Sequence, residues 1–76
     1  MDYLTEYRKA MCKSLSTHVL AQLDERMTVR LDTLEDFREN MPEVAHEQWW
    51  VGDMVNTQHM IGVIDAEFAA RDRAWA

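Results

Sequence analysis

The apolar residues near the start of the chain recur at helical spacing. Leu4, Tyr7, Met11, Leu15, Val19 and Leu23 follow one another at three- and four-residue steps, a stripe that drifts slowly around a helix axis. Asp2 or Thr5 stands where a cap is needed. Forty-one residues separate the N-terminus from Pro42, the only proline, and no glycine occurs before Gly52, so nothing in this half breaks a helix. The pattern predicts a first helix over about 3–27.

The stretch "DERMTVRLDTLEDFREN" is mixed. Met27, Val29 and Leu31 alternate as in a strand, and Thr28 and Val29 are poor helix formers. Asp32 followed by Glu35 has the form of a capping box, and Leu34, Phe37 and Met41 return to helical spacing. The expectation is a break near 28–32 and a short second helix over about 33–40. Asn40-Met41-Pro42 marks the next boundary, because asparagine tolerates a helix end and proline suits a helix start. A long helix should follow over about 42–73, with a possible kink at Gly52 before Asp53.

At 100° per residue, that last helix gathers Val44, Trp50, Val51, Met54, Val55, Ile61, Ile64, Phe68 and Trp75 on one side, the expected core face. Glu47, Gln58 and Asp65 project near its centre, which requires a solvated seam or a partner for each. The opposite side carries Asp53, Asn56, His59 and Glu67, yet also Trp49, Met60 and Val63 within about 60° of one another. A helix that is apolar on two sides is normally buried on two sides. Trp49, Met60 and Val63 are therefore the candidate partner-binding residues, unless the middle segment folds over Trp49 through Leu34 and Phe37.

Seventy-six residues make a single helical domain with a thin core. The fold class expected is all-α: a small helical hairpin or three-helix arrangement, completed as a bundle by dimerisation. Cys12 is the only cysteine, which precludes an internal disulfide and fits a reducing compartment. No run approaches the ~20 apolar residues of a membrane span, and no apolar stretch of signal-peptide type follows a charged start, so a cytoplasmic location is expected.

The net charge is −6, and it is concentrated. Between residues 31 and 67, Arg38 faces nine acidic side chains, whereas the flanking segments are nearly neutral. Asp32, Glu35, Asp36, Glu39, Glu43 and Glu47 recur every three or four residues. If the helix were continuous, they would form a row with about one turn, ~5–6 Å, between carboxylates, comparable to phosphates along a DNA strand. The acidity opposes direct nucleic-acid or anionic-membrane binding, and a helix-turn-helix drawn over 20–40 would carry a repelled recognition helix.

Catalytic chemistry finds little footing. Glu43-x-x-His46 has the spacing of di-iron carboxylate bundles, but the complete site needs a second such motif and two more glutamates, and a glutamate is expected at a helix start in any case. Cys12 and His18 lie roughly 9 Å apart along one helix, too far for direct activation. There is no phosphate loop, no Cys-x-x-Cys and no nucleophile elbow. No cofactor or metal is expected. The chain reads as a non-enzymatic module that docks on and blocks a larger protein, by analogy of size and charge with phage-type inhibitors of host or defence machinery. A nucleic-acid mimic using the acidic row and an accessory subunit of a helical homo-oligomer are the alternatives.

Overall fold

The computed structural model describes residues 2–75; the side chain of Trp75, expected on the core face, lies outside the description. Three helices make up the fold: α1 (Tyr3–Ser14), α2 (Thr17–Asn40) and α3 (Gln48–Trp75), with a 3₁₀ turn over Pro42–His46. The architecture is all-α, within an envelope of 45 × 27 × 17 Å. Both α1 and α2 pack on α3. Leu34 meets Trp50 and Thr17 meets Arg71, so α2 runs antiparallel to α3, while α1 runs the same way as α3, with Thr5 beside His59 and Cys12 beside Arg71.

The break in the first half falls at Leu15–Ser16, not at 28–32. Leu15 is extended at φ −88°, ψ 145°, and the Ser16 hydroxyl accepts from the Val19 N–H at 3.2 Å, capping a new helix. The apolar stripe continues across this corner, so periodicity alone does not reveal it. Residues 28–32 are uninterrupted helix. The Thr28 and Thr33 hydroxyls donate back to the carbonyls of Asp24 and Val29, each at 2.9 Å, and Met27 and Leu31 are packed into the core. The weak propensity of β-branched residues amounts to some tenths of a kcal/mol each, which such burial overrides. Asp32 and Glu35 accordingly lie inside a helix and cap nothing.

Pro42 opens the 3₁₀ turn, and the long helix begins only after Glu47, whose φ −85° and ψ 131° end that turn. From Gln48 onward α3 is continuous, with no interruption at Gly52. A Cβ added to Gly52 would meet nothing within 4 Å.

Two clusters form the core. Cys12, Leu20, Met60, Val63 and Ile64 make one, edged by Met11, Leu15, Leu23, Met27 and Phe68. Leu34, Val44, Trp50 and Met54 make the other, edged by Leu31 and Ala45. The buried flank of α3 is thus rotated by roughly 80° from the expected one. Met60 and Val63 are buried, whereas Val51 and Val55 are exposed. Glu47, Gln58 and Asp65 face outward, which removes the need for buried partners. The polar residues expected on the solvent side instead form the seams. Asp53 receives Arg30 of α2, Asn56 and His59 receive Arg8 of α1, and Glu67 receives Arg71.

Arg71 closes the corner. Its guanidinium donates to the Cys12 and Leu15 carbonyls at 3.0 and 2.6 Å, to the Thr17 hydroxyl at 2.9 Å and to Glu67 at 3.1 Å. It satisfies the Leu15 carbonyl, adds a second donor to the Cys12 carbonyl, which already accepts from the Leu15 N–H, and ties both sides of the break to α3. The side chains of Arg71 and Glu67 are only 21% and 12% exposed, so the pair is poorly screened. Arg71→Met, which keeps the bulk of the stem, should cost about 2–4 kcal/mol in urea unfolding, because the Glu67 carboxylate and the Leu15 carbonyl lose their donor. Gly52→Ala should raise stability by about 0.5–1 kcal/mol in the same assay, since the methyl meets no neighbour and glycine weakens a helix interior.

Candidate docking surface

The adjacent tryptophans separate cleanly. Trp50 is buried, its indole N–H donating to the Leu34 carbonyl at 2.8 Å, with the Arg38 guanidinium 5.7 Å from its ring centroid. That bond anchors the first turn of α3 against the last turns of α2. One residue earlier, Trp49 points about 100° away and is 53% exposed. Its ring meets Phe37 edge to face, 5.9 Å between centroids at 84°. The middle segment therefore touches Trp49 but leaves about half of it open.

Phe37 and Met41 are themselves 43% and 46% exposed. Together with Thr33, Asp36 and Asn40 they line an open groove of about 240 Å³. Phe37 thus stands between Trp49, which it meets edge to face, and Met41, with which it shares the groove, all three exposed where α2 stops and α3 starts. Of the expected stripe only Trp49 stands there: Met60 and Val63 pack against Cys12 and Leu20. Phe37 meets Trp49 as the alternative of a covering middle segment has it, although it covers the ring only in part, whereas Met41 is not placed there by the sequence. Their four-residue spacing was visible, but only the chain reversal through the 3₁₀ turn shows that Leu34 points inward while Phe37 lies at the edge.

All six acidic residues of the expected row are exposed. Because α2 is unbroken, Asp32, Glu35, Asp36 and Glu39 share one side of it, within about 100°. The row ends at Met41, the α2 cap, whose backbone N–H reaches the Phe37 carbonyl. Glu43 lies in the 3₁₀ turn and Glu47 at its end. Glu43 and His46 occupy that same turn, both exposed, and among the described residues no group of three or more His, Cys, Asp or Glu stands close enough to hold a metal.

Two further chemical groups have structural partners. His59 accepts from Arg8 at Nδ1, 2.6 Å, and donates from Nε2 to the Thr5 hydroxyl, 3.0 Å. Arginine has only donors, so Nδ1 carries the lone pair. Thr5 in turn donates to Asp2, so α1 is pinned to α3 through a chain of side chains. Those bonds, Thr5 Oγ1 foremost and then the Thr5 and Leu4 N–H groups, hold the Asp2 carboxyl below its ordinary 3.8. The Cys12 thiol is fully buried, and burial, followed by the nearby Glu67, raises it above its ordinary 9.0 against the opposing pull of Arg71.

No family profile matches the chain, and neither a curated protein nor a solved structure is similar to it.

The exposed and buried tryptophans should respond differently to truncation. Trp49→Ala should cost no more than about 1.5 kcal/mol, the scale of one aromatic pair, whereas Trp50→Ala should cost about 3–5 kcal/mol. The Cys12 thiol should fail to react with a disulfide reagent at pH 8 until the chain is unfolded. A carboxyl held low in the folded state stabilises it above 3.8, and that contribution disappears as pH falls through the lower folded value. Asp2→Asn should therefore flatten part of the acid limb of a stability–pH curve while leaving a neutral cap acceptor in place.

Proposed function

We propose that this chain is a non-enzymatic protein-binding module that docks on a larger protein and blocks it, as phage-type inhibitors of host or defence machinery do. The observation that carries this reading is the half-open Trp49, packed on Phe37, which shares an open groove with Met41 beside the acidic side of α2. A large, rigid aromatic with a polar N–H is the residue type enriched at binding hot spots. Asp36 on the groove wall, with the neighbouring acidic side of α2, favours a partner with a basic rim around an apolar cleft. In this reading a second copy of the chain completes the helical bundle, and the module works in the cytoplasm.

A second reading, nucleic-acid mimicry, draws on the unbroken α2, which keeps Asp32, Glu35, Asp36 and Glu39 on one exposed side. It would present carboxylates to a site that normally takes phosphates.

Salt and substitution together test the proposal. Tagged protein is exposed to a cell extract of a candidate host at low salt and at about 0.5 M, where the Debye length falls to a few Å. A partner retained at high salt by the wild type and lost from the double variant Phe37→Ala/Trp49→Ala supports aromatic docking. A partner that leaves with salt and ignores that substitution overturns it in favour of the acidic row.

A further inference from the structure

The outward side of α3 has a pattern that the core does not use. Val51, Val55, Gln58, Gly62, Ala66 and Ala69 step along it at three- and four-residue intervals, and every one is exposed. Val51 and Val55 are 43% and 58% exposed. Gly62 lies in the middle of a 28-residue helix, where glycine is unfavourable, and a Cβ there would meet nothing within 4 Å. Nothing among the described residues therefore requires its missing side chain.

The sizes along this stripe are not scattered. The larger side chains, Val51, Val55 and Gln58, occupy the N-terminal half, and the small ones, Gly62, Ala66 and Ala69, the C-terminal half. Laid antiparallel against a copy of itself, with the two-fold axis near residue 60, the stripe sets Val51 opposite Ala69, Val55 opposite Ala66 and Gln58 opposite Gly62. Every layer then pairs a large residue with a small one. A parallel pairing would set Gly62 against Gly62 and Val55 against Val55, leaving gaps at one end and crowding at the other. Charge agrees with the antiparallel arrangement. Glu47, just before α3, falls opposite Arg73 near its far end, twice by symmetry, and both are exposed. The helix dipoles also oppose one another. A surface complementary to itself under a two-fold rotation is what a symmetric dimer needs.

We infer that the outward side of α3 is the self-association face of this protein, and that it binds a second copy antiparallel, with α3 crossing α3 near residue 60 and Gly62 facing Gln58 of the other copy. The inference rests on the reading of the chain as a dimer and assigns the face and the orientation. It leaves the Trp49–Phe37 end of each copy free for a different partner. The stripe from residue 48 to 73 is about 37 Å long and one helix, about 10 Å, wide. That is a small interface, below the ~800 Å² per partner of a standard one, so the dimer should dissociate on dilution.

Light scattering behind size exclusion, over about a hundredfold range of concentration, reads the association. The wild type should approach twice its 9.0 kDa at the high end. Gly62→Leu should stay at 9.0 kDa throughout, with its helical circular dichroism retained, because the position is exposed, a Cβ there meets nothing within 4 Å among the described residues, and leucine favours a helix over glycine. Nitroxides attached at Gln48→Cys, with the buried Cys12 left native, should lie about 36 Å apart along the helix axis, against about 10 Å for a parallel pair. A wild type that is monomeric at every concentration overturns both this inference and the dimer reading. A dimer that survives Gly62→Leu, or that dissolves with Trp49→Ala instead, keeps the dimer and overturns this face. A dimer with the short nitroxide distance overturns the antiparallel arrangement.

Discussion

Everything in this fold depends on one helix being shared. α1 and α2 both pack on α3 and make little use of each other, so the core consists of two clusters strung along one flank of α3. Each cluster is small, and neither would hold a 76-residue chain without the polar bonds that align the helices. Those bonds lie at the seams: Arg71 at the corner between α1 and α2, Arg30 with Asp53 along α2, and the Arg8–His59–Thr5 chain along α1. They differ in weight. Arg30 is 53% exposed, so its ion pair adds little stability, whereas Arg71 works in a poorly solvated corner with several acceptors at once.

The same arrangement explains the two exposed surfaces. The flank of α3 turned toward α1 and α2 is consumed, and the far side of a nearly all-round apolar helix is left in solvent. At the N-terminal end of α3 the covering is incomplete, because α2 stops at Asn40 and the 3₁₀ turn carries the chain across. Trp49 sits on the consumed flank by its angle, yet it lies at the end of the layer, where Phe37 covers it edge to face and leaves it half exposed. Its exposure is a consequence of where α2 ends, not of which side of the helix it occupies.

Much of the local structure was legible in the sequence. A proline-free, glycine-free half at helical spacing is helical, and the reversal at Asn40–Pro42 is where the chain turns. Asp2 caps the first helix as its residue type suggests. The corner at Leu15–Ser16 was hidden because an apolar stripe can pass through a break without losing its period, and Ser16 resembles many serines that cap nothing. Thr28 and Val29 misled in the opposite direction, since their propensity is weak beside the burial of Met27 and Leu31. Of the candidate site, Trp49 and the acidic residues stand exposed, while Met60 and Val63 belong to the core.

The sequence by itself determined an all-helical chain, its reversal and its acidic middle, because these follow from propensity, breakers and charge within a few residues. Only the tertiary structure decided which flank of α3 is inside. That helix is apolar around most of its circumference, so its own pattern gives no strong direction, and the choice falls to whatever packs on it. The polar residues on one side looked like a solvent face, but Asp53, Asn56, His59 and Glu67 are the groups to which arginines on both neighbouring helices and on α3 itself are bound. A hydrogen-bonding side chain satisfied by another helix and one satisfied by water look the same in a sequence. The difference depends on which partner comes within about 3 Å, and that is set by the fold.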